Sequence, residues 1–124
     1  MSPYFEPSPA LPECIVKQQW LGRAVVVSVS GTVDMLTASR LEGAIAAALA
    51  ENPVALVIDL TDVDFLASHG ISVLVAAHER VTPRAAFAVV ADGPATSRPM
   101  RLIGVSDLLA LYPTRDEALG AMVS

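Results

Sequence analysis

Residues 54–60, with the sequence VALVIDL, are the feature that most limits the fold of this 124-residue chain. A continuous apolar run of strand length is typical of a central strand that other elements cover on both faces. Short β-branched runs and longer stretches with apolar residues at helical spacing lie on either side of it. Strands that alternate with helices predict a parallel or mixed sheet between helical layers.

The order of these segments predicts a single α/β domain with the element order ββαβαβαβα. The predicted strands are short apolar runs and comprise residues 16–20, 23–30, 54–60, 86–91 and 108–112. The predicted helices share a 3.6-residue apolar period and comprise residues 35–51, 68–81, 97–103 and 114–123. Met35, at the start of the first helix, is assigned to core packing. We therefore expect a mixed, mostly parallel sheet of about five strands with four helices.

Length and composition restrict the possible classes of function. A chain of 124 residues suggests one domain, with residues 1–12 as a flexible, proline-rich N-terminal tail and residues 13–124 as the domain. The net charge is −5 and no basic stripe is visible, which argues against nucleic acids and anionic membranes as partners. Neither a secretory signal nor a membrane-spanning run is recognisable, so we expect a cytoplasmic protein. The lone Cys14 is expected to be a buried or semi-buried, inert thiol.

The segment 58–74, IDLTDVDFLASHGISVL, carries the strongest functional signal. It predicts a buried strand that ends at Leu60, an acidic loop over residues 61–67, and an apolar helix that begins at Ser68. Backbone N–H groups at a helix start lack intrahelical partners, and a serine there can cap them. A phosphoserine would place an anion at the positive end of the helix dipole and add about −2 in charge at one point. This combination suits a switch that a protein partner detects.

At this point the sequence resembles the STAS domain of bacterial anti-sigma factor antagonists. The resemblance covers about residues 16–123, and its later part includes the stretch LIGV at residues 102–105. The pattern that carries it is Gly31-x-x-Asp34, then VALVIDL, then Asp62-Val63-x-Phe65-Leu66-x-Ser68-x-Gly70-Ile71.

The resemblance implies a partner and a mechanism. In this family the unphosphorylated domain binds an anti-sigma factor that is also a serine kinase, phosphorylation of a serine at the start of the second main helix dissociates the complex, and a phosphatase resets it. By position the phosphoacceptor is Ser68, and Asp34 matches an acidic residue near that serine. The family pattern Asp-Ser-Ser/Thr-Gly is replaced here by Ala67, Ser68, His69 and Gly70. The residues that we expect to contact the partner are Thr32, Asp34, Ala67, Ser68, His69 and Ser72.

Two other functions are compatible with the same residues. Ala67 and His69 favour a STAS interaction or scaffold module in a sensory complex, without phosphorylation, in which Ser68 is only a helix cap. A small enzyme that uses Ser68 with His69 is disfavoured, because adjacent residues on a helix do not face each other. We therefore expect a protein that is not an enzyme.

The acidic residues of the same region suggest a metal site as a further possibility. Asp59, Asp62 and Asp64, with Asp34 nearby, could hold Mg²⁺, although a solvated loop before a helix is the favoured interpretation. Neither GxxxxGK[ST] nor GxGxxG occurs in the sequence, so no motif supports nucleotide binding. We expect no metal and no cofactor.

Overall fold

The computed structural model describes residues 14–122, and it begins with a β-hairpin. Strand β1 is Cys14–Leu21 and strand β2 is Ala24–Val33, and the two pair antiparallel. The turn between them consists of Gly22 and Arg23, and Gly22 has a φ of +64°. Glycine adopts this left-handed conformation without steric cost, which allows such a tight connection. The two strands predicted at the start of the chain order are confirmed.

The remaining elements alternate as the sequence predicts, and the order ββαβαβαβα is confirmed with one short 3₁₀ turn added. They are α1 (Ala38–Leu49), β3 (Ala55–Leu66), α2 (Ser68–Val81), β4 (Ala86–Val90), α3 (Ser97–Ile103), the 3₁₀ turn Val105–Asp107, β5 (Leu111–Tyr112) and α4 (Arg115–Met122). Gly104 ends α3 with a φ of +96°, a left-handed conformation that glycine adopts without steric cost. The predicted tail, residues 1–12, and the predicted end of the last helix at Val123 lie outside the described residues.

Within residues 14–122, five strands form one sheet in the order β1-β2-β3-β4-β5. The hairpin is antiparallel, and the pairs β2–β3, β3–β4 and β4–β5 are parallel. Each parallel neighbour needs a crossover connection, which the intervening helix supplies. The predicted α/β fold with a mixed, mostly parallel sheet and four helices is therefore confirmed.

The two faces of the sheet are covered unequally. On one face, α1 and α2 pack against each other and against alternate residues of β2 and β3, and Met100 of α3 joins the same large core cluster. On the other face, α4 contributes Ala118 to a small cluster with Val26 and Val57. Because side chains alternate along a strand, Val25 and Val27 point to the large cluster and Val26 points to the small one.

Strand β3 is longer than the sequence predicts. It continues through the expected loop 61–67 as far as Leu66, because the end of β2 offers it partners up to the pair Val33 and Leu66. Two register shifts interrupt this pairing, and they absorb the additional residues of β3. The first helix begins at Ala38, not at residue 35, so Met35 lies before it and is 72% exposed. The assignment of Met35 to the core was wrong.

Two further predictions concern the Cys14 thiol and membrane-spanning segments. The Cys14 thiol is buried, as expected, and burial raises its pKa. No helix within residues 14–122 is long and apolar enough to cross a bilayer.

Candidate functional site

Ser68 is the first residue of α2 and lies directly after the end of β3. Ala67, in an extended conformation with φ −81° and ψ 165°, occupies the cap position, and no side chain caps this helix. Ser68 is exposed, and its hydroxyl makes no hydrogen bond to any other part of residues 14–122. The interpretation of Ser68 as only an N-cap is therefore wrong, and its hydroxyl is accessible from solvent.

The start of α2 is fixed by close packing against the ends of β2 and β3. The Ala67 N–H donates to the carbonyl of Val33 at 2.8 Å. A Cβ atom on Gly70 would lie 2.6 Å from Cγ1 of Val33 and 2.9 Å from Cδ1 of Leu66. Only glycine permits this approach, which holds the turn that carries Ser68 in one position.

Asp34 organises the loop between β2 and α1. Its Oδ1 accepts hydrogen bonds from the N–H groups of Leu36 at 2.9 Å and Thr37 at 3.0 Å. The Thr37 N–H and further hydrogen bonds to the carboxylate hold the pKa of Asp34 below its usual value. The Thr37 hydroxyl in turn donates to the carbonyl of Thr32 at 2.7 Å. The loop is therefore ordered by its own side chains.

The structure brings the predicted partner-contact residues to one end of the sheet. Ala67, Ser68, His69 and Ser72 lie at the cap or in the first turns of α2, where Ser68, His69 and Ser72 are exposed. The Ser72 hydroxyl donates to the Ser68 carbonyl at 3.1 Å. The backbone contact from Ala67 to the end of β2 joins this turn to the segment that carries the remaining two predicted residues, Thr32 and Asp34.

Exposed apolar side chains around this end of the sheet were missed by the sequence analysis. Leu36 is 75% exposed and Leu102 is 77% exposed. Three other large apolar side chains at this end are also exposed: Met35, Phe65 and Ile103. An open depression of about 330 Å³ separates α2 from α3 and is lined by Ser68, Ile71, Ser72, Val75, Ala76, Glu79, Ile103 and Val105. A second one, of about 390 Å³, includes Phe65 and Leu102. The paired apolar residues 35–36 and 102–103 at helix ends were a signal that could have indicated them.

The three acidic residues of β3 do not form one cluster. Asp59 is buried on the α4 face, where Nη2 of Arg115 lies 2.8 Å from its Oδ2. Burial opposes ionisation of Asp59, but hydrogen bonds from Thr61 and Arg115 outweigh it and hold its pKa below the usual value. Asp62 and Asp64 are exposed. Within residues 14–122, no three acidic, histidine or cysteine side chains are grouped so that they could hold a metal ion.

The geometry around Ser68 lacks the contact that nucleophilic catalysis needs. An activated serine usually has a base within hydrogen-bond reach. His69 is exposed beside Ser68, yet no hydrogen bond joins them, and the depression next to Ser68 is open to solvent. His78 lies further along α2, half-buried, with its ring 5.8 Å from that of Phe87.

Comparison with known proteins gives concordant results. A model of the STAS domain matches residues 17–118. The chain is 44% identical over 94 residues to the anti-sigma-F factor antagonist RsfB of Mycobacterium tuberculosis (strain CDC 1551 / Oshkosh), an alignment that covers 76% of this chain and 77% of that protein. This relative is named as an anti-sigma factor antagonist, which agrees with the prediction that the chain is not an enzyme.

Solved structures with a similar fold include two anti-sigma factor antagonists. The crystal structure of an anti-sigma factor antagonist from Mycobacterium paratuberculosis is 45% identical, with a TM-score of 0.85, and the match covers 94% of this chain and 98% of that one. The Bacillus cell fate determinant SpoIIAA, in its phosphorylated form, shares the fold with a TM-score of 0.65 at 14% identity, over 86% of this chain and 98% of that one.

Proposed function

The chain belongs to the STAS domain family, and on this premise we propose that it is an anti-sigma factor antagonist that phosphorylation of Ser68 switches off. The observation that carries the proposal is the exposed Ser68 hydroxyl, which has no partner within residues 14–122 and sits on a helix start fixed by Gly70. The close relatives are named as anti-sigma factor antagonists, which supports the same class of partner.

The surface around Ser68 has the composition of a protein interface. Exposed Met35 and Leu36 lie in the loop after β2, Phe65 lies near the end of β3, and Leu102 and Ile103 lie on α3. Apolar residues gathered around a polar site are typical of protein–protein contacts, in which the apolar centre is fully desolvated. An anti-sigma factor that covers this surface would exclude water from the Ser68 hydroxyl.

Phosphorylation would act through charge at that covered position. A phosphate adds about −2 at Ser68, and the free N–H groups at the start of α2 can accommodate it without unfolding the helix. The partner would then have to desolvate a dianion beside apolar side chains, which opposes binding. The fold therefore tolerates the modification while the complex does not. A kinase-like partner and a phosphatase would complete the cycle.

A STAS interaction module without phosphorylation is the second candidate, and a specific observation favours it. Ala67 and His69 stand where the family pattern has an acid and a hydroxyl residue. Without the acid, a kinase lacks one charge with which to position the serine. Intact-mass measurement after incubation with the anti-sigma factor and ATP separates the two candidates. Addition of one phosphate that Ser68→Ala abolishes supports the switch, and an unmodified chain supports the module.

The binding test compares Ser68→Glu and Ser68→Ala with the wild type by isothermal titration against the cognate anti-sigma factor. We expect Ser68→Glu to raise the dissociation constant by roughly thirtyfold or more, the equivalent of about 2 kcal/mol. Ser68→Ala should bind as the wild type does. Ala47→Glu, at an exposed position of α1, is the matched control for net charge and should have no effect. Wild-type affinity of Ser68→Glu would contradict the proposal.

A further inference from the structure

Strand β1 is an edge of the sheet with unused hydrogen-bonding groups. Leu21 and Ala24 flank the two-residue turn, so they form a hydrogen-bonded pair, and the odd-numbered residues of β1 direct their backbone groups to β2. The even-numbered residues Val16, Gln18 and Trp20 therefore direct their N–H and C=O groups away from the sheet. Within residues 14–122 these groups have no hydrogen-bond partner.

One outward carbonyl of β1 is already occupied. Nη1 of Arg40 donates to the carbonyl oxygen of Cys14 at 2.9 Å, so the edge that remains free begins at Val16. The eight residues of β1 include no proline, and Lys17 is its only charged residue. A free edge of this kind, on a strand that pairs with β2 without a register shift, is a template for pairing with another strand.

We propose that β1 pairs antiparallel with β1 of a second copy of this chain across a twofold axis at Gln18. The five-stranded sheet of each copy would then continue into that of its partner. Hydrogen bonds would join Gln18 to the second Gln18, and Val16 to Trp20 of the other copy in both directions. An isologous contact of this kind closes on itself and gives a dimer, not a fibre.

The side chains select this register over its neighbour. With the axis at Gln18, Ile15 lies opposite Leu21 of the other copy, and these are the two large apolar residues of β1 that are exposed, by 51% and 42%. Lys17 lies opposite Gln19, so the two lysines do not face each other. With the axis at Lys17, the two lysines would oppose each other, and the Cys14 carbonyl that Arg40 occupies would be needed.

The dimer edge is separate from the surface around Ser68. Ser68 follows β3, and β2 lies between β3 and β1. Each copy in the dimer would thus keep its own Ser68 surface. The inference goes beyond the proposed function, and its test does not involve the anti-sigma factor.

Sedimentation equilibrium of the full chain tests the proposal. We expect a concentration-dependent mass that approaches twice 13.0 kDa. Gln18→Pro removes the central outward N–H but no bond to β2, and should raise the dimer dissociation constant by roughly tenfold or more. A monomer at every concentration up to about 1 mM would overturn the proposal. So would protection of the Val16, Gln18 and Trp20 amides from hydrogen exchange in a monomeric sample, since another part of the chain would then cover the edge.

A charge pair tests the register even if Gln18→Pro fails to fold. Ile15→Lys and Leu21→Glu should each weaken the dimer, because one apolar partner of every Ile15–Leu21 contact is lost. The double variant, I15K with L21E, should recover at least part of the lost affinity, because each new lysine would lie opposite a glutamate of the other copy. A double variant that is weaker than both single variants would overturn this register.

Discussion

Polar groups on the α4 face of the sheet are hydrogen-bonded to each other and include a buried carboxylate, whereas the hydroxyl at the start of α2 is exposed and unpaired within residues 14–122. On the α4 face, Asp59 is buried and its carboxylate is shared by Thr61 and Arg115. The Arg115 guanidinium also donates to the Ser28 hydroxyl at 2.9 Å and to Oε1 of Gln19 at 3.1 Å. At the start of α2, by contrast, the Ser68 hydroxyl is exposed and has no partner within residues 14–122.

This difference separates polar groups that stabilise the fold from polar groups that are available to another molecule. A buried polar group without its partner costs free energy, so the contacts of Asp59 and Arg115 are expected to affect stability. An exposed hydroxyl is solvated in the free protein and loses nothing until a partner covers it. Substitutions on the α4 face should therefore change stability without changing affinity, and substitutions at Ser68 should do the reverse.

A large stability effect is expected from Arg115→Ala. It leaves the buried Asp59 carboxylate without its guanidinium, and we expect a loss of about 2 kcal/mol, since the arginine is partly exposed. Urea denaturation measures this loss, and titration should show unchanged affinity for the anti-sigma factor. Arg84→Ala, at an exposed arginine that forms no ion pair within residues 14–122, is the control and should change neither quantity. If folded Arg115→Ala bound the anti-sigma factor more weakly, the α4 face would contribute to binding as well as to stability.

Gly70→Ala tests a position where we expect stability and affinity to fall together. The new Cβ would displace Val33 or Leu66, and overpacking of this kind costs about 1–3 kcal/mol. Because Gly70 holds the turn that carries Ser68, affinity for the anti-sigma factor should also fall. Gly43→Ala, in α1, is the matched control because its new Cβ would meet no atom within 4 Å. If Gly70→Ala lowered stability alone, the fixed helix start would not matter for binding.

The sequence predicted the α/β fold because hydrophobic periodicity is a local signal. Runs such as residues 54–60 and the helical spacing of residues 71–81 identify elements without knowledge of their neighbours. Prediction from the sequence failed where pairing between distant segments decides the conformation. Residues 61–66 are polar enough for a loop, yet they form the end of β3 because β2 offers them a partner strand.

The position of Ser68 at the start of a helix was predicted for the same reason. A small residue at a strand-to-helix junction, as at Ser68, follows from local pattern, and so does its exposure. The role of Asp59 does not, because its partner Arg115 is 56 positions away in the sequence. The exposure of Met35 and Phe65 likewise depends on what packs over them, and apolar residues at such positions resemble core residues in a single sequence.

Acid should weaken the α4 face first through Asp59. The folded-state pKa of this carboxyl lies below its ordinary value of 3.8, so its contribution is complete above that value and is lost as pH falls through the folded pKa. Asp59→Asn should therefore be less stable than the wild type near neutral pH, and the gap should narrow with acid. Urea midpoints between about pH 7 and about pH 3 measure the gap. A gap that stays constant would mean that the charge of Asp59 contributes nothing.

The smallest change in stability and affinity is expected from Asp34→Asn. This variant tests whether Asp34, unlike Asp59, needs only its acceptor oxygen and not its charge. Asp34 uses Oδ1 to accept the N–H groups of Leu36 and Thr37, and the amide oxygen of asparagine can accept the same bonds. We therefore expect the urea midpoint and the affinity for the anti-sigma factor to stay close to those of the wild type. Asp34→Ala removes the acceptor, so the loop should loosen and affinity should fall. If Asp34→Asn bound as weakly as Asp34→Ala, the charge itself would contact the partner, and Asp34 would belong with Ser68 among the groups available for binding.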